Sequence, residues 1–413
     1  MKRIIIFLMI PFVLSSCGGR TKSENQKSND MTTDITSQYG YNRDFLKKYV
    51  SVIELRRNNS AIALIPGGQG RVMTSTAEGD NGFSFGWINH KLIASGAIQP
   101  HINAFGGEER LWLGPEGGQF SIYFKKGDEF VYDNWQVPSF LDTDPFEIIN
   151  QTDSSVLFAC DVETANFSGT PLKFKLEREV ILLTGESIRK QTGIDPEGVN
   201  IVAYKSDNKI TNNGTNEWLR ETGQLSIWML GMFIPSPSVI VVIPFNRGNE
   251  KVMGPPVNDN YFGKIAADRL KVEGDHIFFR CDGKSRGKLG LPPLRAKGIM
   301  GSFDSANNIL TLLICKQPQG ITGYVNSAWQ LQEDPYSGDA LNSYNDGPLE
   351  DGSQMGPFYE LEASSPAAAL KPGEKLSHVQ YTVHITGNQT RLDEIARKTL
   401  GVGLETITAA FQR

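Results

Sequence analysis

From position 52 onward the apolar side chains alternate with polar ones in short runs and seldom recur every third or fourth residue. Period two is the mark of a strand, because successive side chains leave opposite faces. The runs 52–56, 61–65 and 71–75 are separated by Asn58-Asn59 and by Pro66-Gly67-Gly68-Gln69-Gly70, which reads as a meander. In 173–183, Lys173, Lys175, Glu177 and Glu179 alternate with Phe174, Leu176 and Arg178, the pattern of an antiparallel strand buried on one side. Further strands are predicted at 121–124, 146–150, 155–163, 187–192, 223–229, 239–243, 276–282, 299–303, 309–316, 358–363 and 378–386. Helices are predicted at 42–49, capped by Asn42, at 391–400, behind a Thr390/Asp393 capping box, and at 402–411. The fold class is therefore all-β and antiparallel, with two large sheets face to face over 39–389 and a helical appendix at 390–413 lying over a sheet edge.

The first residues follow another rule. Lys2 and Arg3 precede an apolar run at 4–14, too short for a span of roughly 20 residues, and Leu14-Ser15-Ser16-Cys17 follows. This resembles a bacterial lipoprotein signal. The resemblance implies a signal peptide over 1–16, acylation of Cys17, a tether over 17–38 and a chain anchored to the cell envelope, with Gly18 after the cysteine favouring the outer membrane. The tether has hardly an apolar residue and cannot repay its ordering entropy. With 41 Lys and Arg against 46 Asp and Glu, the formal net charge of −5 argues against a nucleic-acid partner. Cys160, Cys281 and Cys315 sit in apolar runs without a His or Cys at metal-ligand spacing, so they read as small buried hydrophobes and no metal site is assigned.

Charge, aromatic surface and glycine concentrate at 105–120. Gly106-Gly107 and Gly117-Gly118 relax the backbone at both ends, and the strand between them places Glu108, Arg110 and Trp112 on one face and Glu109, Leu111 and Leu113 on the other. Carboxylate, guanidinium and indole together suit a sugar, whose hydroxyls need fixed partners and whose C–H face needs a flat apolar surface. The alternative is an edge strand in which Arg110 merely pairs with Glu108.

Three blocks carry a wider resemblance: 52–72, Gly106-Gly107-Glu108-Glu109-Arg110-Leu111-Trp112, and Phe358-Tyr359-Glu360-Leu361-Glu362 with Leu370-Lys371-Pro372-Gly373-Glu374. Together they resemble the galactose mutarotase-like superfamily, in order over 39–387. Tyr324-Val325-Asn326-Ser327-Ala328-Trp329 and Asn342-Ser343-Tyr344-Asn345-Asp346-Gly347-Pro348 are similar to a branch of uncharacterised bacterial lipoproteins within it. The resemblance implies a β-supersandwich with a concave sheet that binds carbohydrate, and mutarotase-like or epimerase-like chemistry. It places the carboxylate base at Glu360 or Glu362. The histidine-bearing motif of sugar mutarotases is missing here, and His101, just before the glycine-rich block, is the candidate acid.

Ligand-binding candidates are Glu108, Arg110, Trp112, Glu116, Lys288, Trp329, Asn345 and Asp346. Trp135 is a further stacking candidate, and Lys288 belongs to a basic loop at 284–290 that reads as a wall for an acidic or oxidised sugar. The acidic stretch 333–351 reads as a lid over the cleft. It has oxygens enough for calcium but lacks the EF-hand spacing, so no cofactor is assigned. Two other functions fit the same residues: a lipid-anchored glycan-binding protein without catalysis, and a glycan-cleaving enzyme using Glu116 and Glu360.

Overall fold

The computed structural model describes residues 35–412. Eighteen strands lie among them: β1 (Ile53–Arg57), β2 (Ser60–Ile65), β3 (Arg71–Thr76), β4 (Arg110–Gly114), β5 (Glu147–Gln151), β6 (Ser155–Ala165), β7 (Pro171–Leu182), β8 (Val199–Asn212), β9 (Ser226–Phe233), β10 (Val239–Pro244), β11 (Leu270–Glu273), β12 (His276–Arg280), β13 (Gly287–Leu291), β14 (Ile299–Asp304), β15 (Ile309–Cys315), β16 (Leu341–Asn345), β17 (Tyr359–Ser364) and β18 (Lys375–Gly387). They make an antiparallel ten-stranded sheet in the order β11-β12-β10-β14-β15-β18-β8-β7-β6-β5, a five-stranded sheet in the order β13-β16-β17-β9-β4, and a three-stranded meander β1-β2-β3. Val241, Phe279 and Leu313 of the large sheet pack against Leu289, Leu341 and Leu361 of the small one. Phe158, Leu176 and Ile210 do the same against Leu111, Leu113 and Met229. Burial of each such side chain contributes about 1.5–3 kcal/mol, which makes this layer the main core.

Among the described residues six α-helices accompany the sheets: α1 (Tyr39–Tyr49), α2 (His90–Ser95), α3 (Gly185–Thr192), α4 (Glu250–Met253), α5 (Gln389–Leu400) and α6 (Leu404–Ala409). The two C-terminal helices cover the outer face of the ten-stranded sheet rather than an edge, because Leu392, Ile395, Leu400, Leu404 and Ile407 bury against Ile240, Val242, Phe278, Phe303, Leu312 and Val383. The α5 cap is Asn388, not Thr390; its Oδ1 accepts from the backbone N–H of Thr390 and Arg391. Asn42 lies inside α1, where its amide donates to the carbonyls of Thr36 and Gln38. The stretch predicted as a strand at 187–192 is α3, since Thr184 caps it and Gly193 ends it in the left-handed region. No strand forms at 121–124, whereas β8, β11, β13 and β16 form without having been predicted. Cys160, Cys281 and Cys315 are free thiols, the last two buried. Cys17 lies outside the described residues.

Candidate functional site

Along the five-stranded sheet, Leu111, Leu113, Met229, Leu289, Leu341 and Leu361 turn to the core, so their neighbours in sequence take the other face. Cross-strand pairing brings those neighbours together: Trp112 opposite Trp228, Glu362 opposite Asn342, and Tyr344 between Glu360 and Lys288. The polar groups then find each other. Arg110 Nη2 donates to Glu360 Oε1 at 2.5 Å, both side chains being buried. Glu362 Oε2 accepts from Trp228 Nε1 at 2.8 Å and from Lys288 Nζ at 3.0 Å. The Arg110 guanidinium lies 5.2 Å from the centre of the Trp112 ring and the Lys288 ammonium 4.7 Å from that of Trp228, while the two indoles meet edge to face at 5.6 Å.

Loops wall this face. The segment after β4 carries Glu116, whose N–H donates to Ser327 Oγ at 3.1 Å. Gly117 lies so close to the 326–332 loop that a Cβ there would stand 2.5 Å from the Ala328 carbonyl oxygen. Trp329, from the same loop, adds an indole N–H beside the Glu116 carboxyl. On the far side the Tyr261 hydroxyl donates to Asp339 at 2.7 Å and accepts from Asn342, and the Tyr344 hydroxyl donates to Asp346 at 2.6 Å.

Crowding of charge sets the titration of the face. Burial lifts the Glu116 carboxyl to about 7, helped by Glu362 and opposed by Lys288 and Arg286. Glu116 itself is only partly buried, so it is a densely surrounded group rather than a core residue. Burial also pushes Glu360 up to about 7, with Arg110 pulling down and Glu362 pushing up. Arg110 touches Glu360 and Lys288 touches Glu362, whereas no cation among the described residues stands within ion-pair distance of Glu116. Several buried atoms of the face have no partner: Arg110 Nε, Trp112 Nε1, Ser226 Oγ and Glu362 Oε1. Leaving such groups unpaired is costly unless a ligand or water meets them.

Of the residues singled out in the sequence, the structure gathers Arg110, Trp112, Glu116, Lys288, Trp329 and Glu360. Asp346 stands at the border, where it also accepts from the Gly356 N–H. Asn345 faces away and clamps the basic loop, accepting from the Gly283 N–H and donating to the Ser285 carbonyl. Glu108 does not share the face of Arg110. Regular pairing of β4 begins only at Arg110, and Gly106 and Gly107 take φ of +97° and +111°, so both Glu108 and Glu109 turn inward. Glu109 meets Arg178 at 2.7 Å with Gln380 and Thr382 around it, and Glu108 lies 3.7 Å from His384. His101 sits in a separate loop, its Nδ1 2.7 Å from the Trp135 carbonyl and its ring against Tyr132. Trp228 and Tyr261 were missed altogether; nothing in the sequence marks them, since sheet register brings Trp228 to Glu362 and a loop between α4 and β11 brings Tyr261 to Asp339. A cavity of about 20 Å³ beside His384 and one of about 270 Å³ beside Trp87 lie elsewhere. Among the described residues no group of three or more His, Cys, Asp or Glu side chains is placed to hold a metal ion.

A family model matches residues 37–411, nearly all of the described chain. The chain belongs to the Family of unknown function (DUF6786). No curated protein matches it in sequence. Among solved structures, the Slr1438 protein from Synechocystis sp. PCC 6803 aligns over 82% of this chain and 96% of its own at 13% identity and a TM-score of 0.51, so the two share a fold. A galactose mutarotase-like protein from Lactobacillus casei ATCC 334 aligns over 81% of this chain and 100% of its own at 10% identity and a TM-score of 0.49. The antiparallel sandwich of this member of the family agrees with the expectation drawn from its sequence.

Proposed function

We propose that the outward face of the five-stranded sheet binds a carbohydrate and catalyses proton transfer at its anomeric centre, as a mutarotase-like or epimerase-like enzyme. One observation carries this: three carboxyls, two cations and three indoles meet on one face, two of the carboxyls are lifted to about 7, and buried donors and acceptors there lack partners. Indoles supply stacking surface for a ring, and the unpaired Arg110 Nε and Trp112 Nε1 supply donors for its hydroxyls. Anomer exchange needs a base that takes the proton of the anomeric hydroxyl and an acid that protonates the ring oxygen as the ring C–O bond opens. Glu360 and Glu116, near neutrality in pKa, fill those roles without a histidine. Four of the five histidines have other partners, His90 meeting Asn42, His101 the Trp135 carbonyl, His276 the Leu400 carbonyl and His384 Thr311, and His378 is buried on the ten-stranded sheet.

The test is anomer exchange followed by NMR on a panel of aldoses, with affinities measured in parallel. Glu116→Gln should lower turnover by about a hundred-fold or more with little change in affinity. A change in affinity alone would assign the face to a non-catalytic glycan-binding protein, and release of reducing ends from oligosaccharides would assign it to glycan cleavage. We further propose that Cys17 carries lipid and holds the chain on the envelope, favouring the outer membrane; Cys17→Ser should then move the protein from the membrane to the soluble fraction, and an unchanged membrane fraction would defeat the idea.

A further inference from the structure

The sugar-binding reading above leaves the class of sugar open, and the charge on the face narrows it. Arg110 pairs with Glu360 at 2.5 Å and Lys288 with Glu362 at 3.0 Å, so the charge of each cation is already balanced within the face, although Arg110 Nε keeps an unpaired N–H. Glu116 is a third carboxyl without a cation in ion-pair contact, open in part to solvent. At the border Asp339 and Asp346 add acid, and Arg286, an exposed cation, lies 3.8 Å over the Phe262 ring.

An acidic patch alone would be solvated surface. Here Glu362 is fully buried and its Oε1 lacks a donor, while the N–H groups Trp112 Nε1 and Arg110 Nε on the same face lack acceptors. A group that brings both donors and positive charge meets the first need, and ring hydroxyls meet the second. We propose that the face takes a sugar with a free ammonium group, a hexosamine, and rejects uronic acids and other anionic sugars. This inference rests on the carbohydrate reading of the face. It reverses the expectation that the basic loop at 284–290 greets an acidic sugar, because Lys288 is neutralised by Glu362 and the loop's other two cations, Lys284 and Arg286, are exposed.

The probes are glucose, glucosamine, N-acetylglucosamine and glucuronic acid with their β-1,4-linked dimers, titrated calorimetrically against the full chain in detergent at low ionic strength. The glucosamine forms should bind about ten-fold or more tighter than the glucose forms, since a charge-assisted hydrogen bond is worth roughly that much. N-acetylation should erase the gain, and the glucuronic forms should bind weakest. Glu116→Gln, at a half-buried position that tolerates an isosteric amide, should narrow the glucosamine-to-glucose ratio. Glucuronic acid bound as tightly as glucose, or a ratio near one in the unaltered protein, would overturn the inference and leave the sugar site standing. Failure of every probe to bind would remove both.

Discussion

Arg110 illustrates how much one partner decides. A guanidinium paired with Glu108 at a strand edge would contribute at most about 1 kcal/mol. Its partner is instead Glu360, in a buried contact, and removal of one member of such a pair leaves an uncompensated charge at a cost of about 3–5 kcal/mol. Arg110→Ala should therefore lower the urea midpoint strongly, and adding Glu360→Gln to it should restore part of the loss. Glu116 acts through pH. Its carboxyl is raised to about 7, so the folded chain holds a proton there that the unfolded chain, near 4.5, has released. Stability from this source is complete below about pH 4.5 and is lost as pH rises through about 7. Buried His378, pushed down to about 4, acts in the opposite sense, so the difference between wild type and Glu116→Gln is the quantity to measure. Chemical unfolding from pH 5 to 8 should show wild type losing about 1–3 kcal/mol more than the variant. Equal pH profiles would mean that Glu116 titrates as an ordinary surface acid.

Elements were readable where their pattern served the core. The alternation in β7 survives in full, with Arg178 as the apparent exception that proves buried and paired with Glu109. By contrast β13 and β16, which hold Lys288, Asn342 and Tyr344, read as loops because Gly287, Ser343 and Asn345 take core-side positions where an apolar side chain would mark the strand. A strand with glycine, serine or asparagine at core-side positions loses the alternation that announces a strand. Helix ends depend on single hydrogen bonds, as α5 shows. Asn388→Ala should cost about 1 kcal/mol of stability by thermal unfolding, whereas Thr390→Ala should stay within about 0.5 kcal/mol. The reverse order would return the cap to Thr390.

At the scale of the molecule, the small sheet lies on one side of the ten-stranded sheet, and α5 with α6 bury the other side of its β10, β12, β14, β15 and β18 portion. The two helices are thus part of the core. Five of their side chains, from Leu392 to Ile407, are buried there, each contributing about 1.5–3 kcal/mol, which together rivals the net stability of an ordinary domain. A chain ending at residue 387 should bind a hydrophobic dye and lose its soluble monomer in gel filtration; a monomeric, dye-silent truncation would show the helices to be an accessory.

What the sequence determined by itself follows from local rules. Period two and turn residues specify an antiparallel β protein, and the glycine pairs around Arg110 and Trp112 mark a place where backbones approach closely. The pairing of Arg110 with Glu360, 250 residues away, of Lys288 with Glu362, and of Trp228 with both strands beside it was decided only by strand order and register. A carboxylate carries no trace in sequence of which cation the sheet will lay beside it. The inward turn of Glu108 was hidden for a related reason: two left-handed glycines shift the alternation by one residue, and a strand's faces are fixed only once its neighbours are in place.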